Sequence, residues 1–291
     1  MQKIRGLLQK NHILAPYTSW QVGGSADYFY QPKDIEDLAV FLQGWQDETL
    51  LLGAGSNVLI RDGGVRGGVL YLKGTLNNFE QVANSIVRVG AGLSLGNLVQ
   101  ATLDLGMTGQ AFLAGIPATV GGALAMNAGA HGDSIWNHVV LVETINRQGE
   151  IAIRTPNEFE VSYRHVVGLR PYEWFVAAQL QFPFGDRQET QQKIQELMLK
   201  RRLAQPLDEP NCGSVFRNPL NDYAARLIEA SHLKGHQIGA AQVSEKHANF
   251  IVNKGGAKAS DIEALISLIM DKVYDKHQVE LIPEVRILGE K

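Results

Sequence analysis

FLAGIPATVGGALAMNAGAHG, residues 112–132, is the stretch on which the reading of this chain turns. Small residues dominate it, and neither the 3.6-residue period of an amphipathic helix nor the alternation of a strand persists for long. Gly115, Ile116 and Pro117, then Thr119, Gly121, Gly122 and Ala123, and finally Asn127, Ala128 and Gly129 supply short side chains, a rigid proline and an amide. Backbone so stripped of bulk lets a flat or extended ligand approach closely, and it equally lets two backbones pack together. Upstream, Gly53, Ala54, Gly55, Ser56 and Asn57 form a second glycine cluster, set between extended segments at 49–52 and 58–60. Successive N–H groups in such a turn can form a nest for phosphate oxygens, while a plain tight turn is the competing reading. The turn has neither the lysine of a P-loop nor the spacing of a dinucleotide fingerprint, and no helix follows it, so ATP hydrolysis and a Rossmann site are poorly supported. Two separated glycine clusters in one chain favour a shared extended ligand, such as a dinucleotide.

Working outward, the spacing of Ile35, Leu38, Ala39 and Leu42 predicts a helix over 34–43 with Asp34 as its N-cap. Ser94 caps a second, with Leu95, Leu98, Val99, Thr102 and Leu103 on one face and Gly106 beyond its end. Strands are expected at 139–147, 150–155 and 174–182, then a charged helix at 186–203 with Ile194, Leu197 and Met198 inward. The C-terminal part reads as a helix at 223–230, strands at 237–243 and 248–253, a strong helix at 260–276 and a last strand at 279–288. Strands and helices mixed without a regular βαβ repeat indicate an α+β architecture.

Composition narrows the function classes. At 291 residues the chain is long enough for two or three packed units, and 45% hydrophobic against 20% charged residues is the balance of a chain folded throughout. With 27 Lys+Arg and 30 Asp+Glu the net charge is −3, so no global field recruits nucleic acid or an anionic membrane. One cysteine, Cys212, cannot close an intramolecular disulfide, and no metal-ligand spacing of cysteines and histidines is present. Residues 1–14 contain no continuous apolar run of the signal-peptide kind, and no stretch is apolar enough to span a bilayer; a cytoplasmic protein is expected.

Several polar residues are placed where chemistry is feasible, though each alone has a simpler reading. Arg164, after Tyr163, offers a planar fork to a carboxylate, but a lone arginine is usually a solvated surface group. Ser214 stands between Gly213 and the short apolar step Val215-Phe216, where its hydroxyl would be fixed and partly buried; alone it reads as a turn serine. Alternation over 279–287 puts Glu284 and Arg286 on one face, which an edge-strand ion pair would also explain. His247, by itself, reads as structural.

Taken in order, GAGSNVLI at 53–60, AGIPATVGGALAMNAGAHG at 114–132, SYRH at 162–165, GSVFRNP at 213–219, SEKHANFIVN at 244–253 and PEVRILG at 283–289 closely resemble the UDP-N-acetylenolpyruvoylglucosamine reductase family. The resemblance spans nearly the whole chain; the two glycine segments are also similar to the wider class of vanillyl-alcohol-oxidase-like flavoproteins. It implies a two-part FAD-binding unit of that (PCMH) type, residues 1–74 and 75–187, followed by a smaller α+β substrate-binding domain, 188–291. It implies FAD contacts from Gly53, Ala54, Gly55, Ser56 and Asn57, and from Gly115, Ile116, Pro117, Thr119, Gly121, Gly122, Ala123, Asn127 and Gly129. Arg164, Ser214 and Glu284 are the implied catalytic trio. Tyr163, Arg217, Asn218, His247 and Asn249 are the implied substrate contacts, and no metal is required. The implied activity is NADPH-dependent reduction of UDP-N-acetylglucosamine enolpyruvate to UDP-N-acetylmuramate in peptidoglycan synthesis, by a cytoplasmic monomer whose partners are small molecules. Another FAD oxidoreductase of this fold, or a flavin-binding module without catalysis, are the alternatives. Little room remains between Arg164 and the helix at 186 for an inserted substrate-covering loop, so the chain resembles the shorter, second type. Val166 and His131 depart from the family pattern, where serine and tyrosine are common.

Overall fold

The computed structural model describes residues 3–291. The chain divides into two compact units. The first takes residues up to Gln9, then Tyr28–Ala54 and Gly67–Lys200; the second takes Lys10–Asp27, Gly55–Arg66 and Arg201–Lys291. Strands and helices are mixed in both, as the α+β expectation requires.

Two cores occupy the first unit. One surrounds the helix Ile35–Gly44, whose N-cap Asp34 accepts a hydrogen bond from Asp37 N at 2.9 Å. Leu38, Phe41 and Leu42 from that helix pack with Tyr30, Leu70 and Leu72. Beside it Thr49–Leu52 runs parallel to the later part of Val65–Tyr71, in register Thr49↔Gly68 to Leu52↔Tyr71. The other core lies against a five-stranded antiparallel sheet in the order Ile151–Arg154, Val139–Asn146, Glu173–Gln181, Ile86–Gly90, Phe79–Ala83. Two helices cover it, Leu95–Asp104 and Val120–Met126. The first is capped by Ser94, whose hydroxyl accepts from Asn97 N at 3.2 Å, and it buries the five residues its period predicts. The second forms inside the glycine-rich segment, where no lasting period was visible.

The second unit has a single core around the helix Ala259–His277, which buries Ile262, Leu265, Ile266, Ile269 and Val273. Against it pack the helix Ala224–Ala230 and the three-stranded sheet Gln237–Ile238, Ala241–Val243, Ile251–Asn253. Trp20, Val22 and Leu59 belong to the same core. Trp20 Nε1 donates to the carbonyl of Ile251 at 2.7 Å, and Asn253 Nδ2 donates to the carbonyl of Trp20 at 2.9 Å. Val58–Ile60 pairs parallel with Arg286–Leu288.

Four expectations need correction. The strand expected at 237–243 is a hairpin broken at Gly239, whose φ is +55°. That at 248–253 shortens to Ile251–Asn253. The last strand is a ladder only over Arg286–Leu288, paired with Val58–Ile60; upstream of it Pro283 makes a single bridge to Phe216. In the helix Arg187–Ala204, Leu197 is buried but Met198 is 51% exposed, since the inward row runs through Thr190, Ile194 and Leu197 and Met198 stands a residue off it.

Candidate active site

In the first unit Gly53, at the head of one glycine cluster, meets Thr119 of the other. A Cβ built on Gly53 would lie 2.5 Å from Thr119 Oγ1, so a side chain there would push the Thr119 hydroxyl out of place. Thr119 in turn caps the helix Val120–Met126, its hydroxyl accepting from Gly122 N at 3.4 Å. The entry to this helix is held by backbone: Val120 N donates to Leu93 O at 2.9 Å and Gly121 N to Ala91 O at 2.9 Å. The adjacent glycines serve different ends. A Cβ at Gly121 would meet Ala91 Cβ at 2.9 Å, whereas at Gly122 it would meet only Thr119 Oγ1, at 3.6 Å. Gly121 therefore seats the helix, and Gly122 keeps an open face. Ala123 is buried in the core, while Gly115 turns the chain into Ile116 and Pro117 with φ +74°. A surface of open backbone joined to a short-side-chain turn fits the close approach of an extended cofactor such as FAD.

Arg164 is carried by the hairpin Glu160–Ser162 and His165–Val167, whose last register pair, Ser162↔His165, leaves Tyr163 and Arg164 as a two-residue turn. The φ of Arg164 is +55°, a left-handed conformation uncommon for a side chain of this size. Its guanidinium reaches back over the glycine-rich segment, Nη1 donating to Asn127 O at 3.4 Å and Nη2 to Gly129 O at 3.1 Å. Tyr163 is largely exposed beside it. Val166 pairs with Val161 in this hairpin, and His131 is exposed with φ +57°.

Ser214 and Glu284 come together in the second unit. The segment that follows Ser214 lies between two others: Val215 N donates to Asn249 O at 2.9 Å, and Val215 O accepts from Glu284 N at 2.7 Å. A bridge joins Phe216 to Pro283, and Arg217 N donates to Ile282 O at 2.9 Å. Asn249, 3% exposed, grips the same segment with its side chain: Oδ1 accepts from Phe216 N at 3.0 Å and Nδ2 donates to Phe216 O at 2.8 Å. On the other side Asn57 Nδ2 donates to Glu284 O at 3.2 Å while Asn57 O accepts from Arg286 N at 3.0 Å. Gly55, with φ +64°, would set a Cβ against the carbonyl of Tyr17, and its own carbonyl accepts from Ser19 N at 3.0 Å. Ser56 is half-buried in the same turn. Burial pushes the Cys212 thiol well above its ordinary value, and the nearby charge of Glu284 adds to the rise, so the thiol stays protonated.

The implied substrate contacts differ in what they do. The Asn249 amide is spent on Phe216, and Asn218 Oδ1 accepts from Ala224 N at 3.1 Å at the start of the helix Ala224–Ala230. His247 Nδ1 accepts from Asn249 N at 3.3 Å. These brackets around Ser214 and Glu284 were not visible in the sequence; the only signal was an asparagine in each of two motifs, and an amide does not announce its partner. Among the described residues no cluster of three or more His, Cys, Asp or Glu side chains is placed to hold a metal ion, and no helix is long and apolar enough to cross a membrane.

Residues 205–288 match the family model of the UDP-N-acetylenolpyruvoylglucosamine reductase C-terminal domain, and residues 26–153 match that of an FAD binding domain. The UDP-N-acetylenolpyruvoylglucosamine reductase of Legionella pneumophila (strain Corby) is 51% identical over 289 residues, covering 98% of this chain and 94% of that protein. The protein of the same name from Methylococcus capsulatus is 50% identical over 288 residues, with 98% and 94% covered. The crystal structure of UDP-N-acetylenolpyruvylglucosamine reductase from Thermus caldophilus superposes with a TM-score of 0.84 at 31% identity, covering 97% of this chain and 98% of that one.

Proposed function

The chain belongs to the UDP-N-acetylenolpyruvoylglucosamine reductase family, and on that premise we propose how its own residues carry the reaction. It is an FAD-containing oxidoreductase that uses NADPH to reduce UDP-N-acetylglucosamine enolpyruvate in peptidoglycan precursor synthesis. The turn at 53–57 and the segment at 115–129 hold FAD; within them Gly53, Gly55 and Gly121 serve close packing, and Gly122 leaves the open face. When bound and reduced by NADPH, FAD supplies the hydride that adds to the terminal carbon of the enolpyruvyl group.

Negative charge then develops on the adjacent carbon and its carboxylate. The Arg164 guanidinium and the Glu284 carboxyl, which takes its protonated form in the substrate complex, stabilise that charge, a preorganised electrostatic task, and the Ser214 hydroxyl delivers the proton that ends the reaction. The observation that supports this assignment is the hydrogen bond from Glu284 N to Val215 O, at 2.7 Å, which joins the backbone at Glu284 to the residue after Ser214 from a remote part of the sequence. Tyr163, Arg217 and Asn218 contact the substrate carboxylate or diphosphate, while His247 and Asn249 act by shaping the loop. In functional terms residues 1–74 and 75–187 serve FAD and 188–291 serve substrate. We place the enzyme in the cytoplasm, where NADPH and nucleotide sugars are made, as a monomer that binds neither nucleic acid nor membrane; a net charge of −3 gives no field for either.

The test is Ser214→Ala. NADPH should still bleach the flavin, while turnover of the enolpyruvyl substrate falls on the order of 10²–10⁴-fold for loss of a positioned proton donor. Equal loss of flavin reduction and turnover in stopped-flow measurements overturns the role. NADPH oxidation that needs the enolpyruvyl substrate and consumes little oxygen separates this activity from that of an oxidase of the same fold.

A further inference from the structure

Asn127 ends the helix Val120–Met126 in the left-handed conformation, with φ 43° and ψ 56°. That position asks only for tolerance of the backbone, which glycine meets as well as asparagine. Asn127 does more than this. Its Nδ2 donates to the carbonyl of Ser162 at 3.1 Å, and its own carbonyl accepts from Arg164 Nη1 at 3.4 Å. Gly129, two residues on, accepts from Arg164 Nη2 at 3.1 Å. Ser162 closes the hairpin whose turn is Tyr163-Arg164. One asparagine thus holds the hairpin by its side chain and the guanidinium by its main chain. The amide Oδ1 is shut off from solvent and has no hydrogen-bond partner among the described residues, so the donor end alone fixes which way the amide faces.

We propose that Asn127 is a positioning residue for the reaction, acting through Arg164: its tether to Ser162 fixes the hairpin so that the guanidinium stays over the 127–129 backbone. The inference rests on the reading of Arg164 as a catalytic group. An arginine at an untethered hairpin tip spreads over many rotamers, each of which must be given up before the charge on substrate can be met. Displacement of a positioned group by about 1 Å can lower a rate on the order of 10²-fold.

Two substitutions separate the tether from the cap. Asn127→Gly keeps the left-handed backbone and both carbonyls and removes the bond to Ser162; a side-chain contact to FAD lost with it shows as weaker flavin binding, which is why turnover is read per bound flavin. Asn127→Asp sets an oxygen against the Ser162 carbonyl and should be worse. Expected, per bound flavin, is a kcat lower by about 10- to 100-fold in Asn127→Gly, lower again in Asn127→Asp, and no added loss when Asn127→Gly is combined with Arg164→Ala. A signature independent of turnover is the ¹⁵N guanidinium resonance of Arg164 in the FAD-loaded protein: hindered rotation in the parent, averaged signals in Asn127→Gly. Loss in Arg164→Ala together with an additive Asn127→Gly effect, or an unchanged guanidinium signal, overturns the positioning role alone. Full turnover in Arg164→Ala overturns the role of Arg164 and the tether with it.

Discussion

His247 occupies a tight turn in which nearly every polar atom is engaged. Its backbone N–H donates to Ser244 Oγ at 3.3 Å, its Nδ1 accepts from Asn249 N at 3.3 Å, and its ring meets Phe250 edge-on with centroids 4.7 Å apart. Burial holds its pKa below the ordinary 6.5, with the charge of Lys234 pushing the same way and that of Glu229 opposing it. A protonated ring would also give up Nδ1 as an acceptor. The folded chain therefore prefers the neutral ring, while the unfolded chain takes a proton near pH 6.5. Between that value and the depressed folded one the unfolded state binds more protons, so stability falls as the pH drops. Urea unfolding at pH 7.5 and 5.5 should show a lower midpoint at the acid value, and His247→Asn, which keeps an acceptor but does not titrate, should show a smaller fall. An identical acid-side loss in the variant would remove His247 from the explanation. A motif can show that a histidine stands beside an asparagine, yet only the folded turn shows that the ring serves Asn249 N.

Among the elements, those with a cap or a strong apolar stripe were legible: Asp34 and Ser94 start their helices where the sequence puts them, and the strong helix expected at 260–276 forms as Ala259–His277. The helix Val120–Met126 was not, because alanines and glycines give no stripe to read; its buried face is defined by close backbone approach instead. The segment 279–287 failed as a ladder yet kept its alternation: Leu281 and Val285 are buried while Glu280, Ile282 and Arg286 are exposed, since the two sides of an extended chain differ in burial whether or not its N–H groups pair. Close approach makes a prediction for neighbouring glycines. Gly121→Ala forces a methyl to within 2.9 Å of Ala91 Cβ and should cost about 1–3 kcal/mol in urea unfolding, as overpacking does. Gly122→Ala meets nothing nearer than 3.6 Å and should leave the apoprotein as stable or gain up to about 1 kcal/mol from helix propensity, while FAD titration shows weaker binding. Equal stability of the two variants would mean that Gly121 does not seat the helix.

For the whole molecule, chain order conceals how the C-terminal third is built. A reading from one end to the other places a substrate domain at 188–291, but the compact unit containing Arg201–Lys291 also takes in Lys10–Asp27 and Gly55–Arg66. Such interleaving leaves no mark in composition, because each inserted piece is an ordinary short segment whose partners lie far along the chain. Its energetic weight is nevertheless large. Trp20, Val22 and Leu59 are each almost wholly buried in that core, and full burial of a side chain of this kind stabilises by about 1.5–3 kcal/mol. Together they approach the net stability of a domain, about 5–15 kcal/mol. The same pieces supply the Trp20 hydrogen bond to Ile251, the parallel partner of Arg286–Leu288, and the Asp62 carboxylate that accepts from Ala259 N at 2.9 Å and Ser260 N at 3.0 Å where the longest helix begins. A fragment of residues 201–291 should therefore show no cooperative urea transition and poorly dispersed amide resonances, whereas the intact chain unfolds with a sharp midpoint. Restoring residues 10–27 and 55–66 as added peptides should recover part of the ordered signal. Cooperative folding of 201–291 alone would mean that the core stands without Trp20, Val22 and Leu59, and that the two N-terminal pieces merely rest on a finished domain.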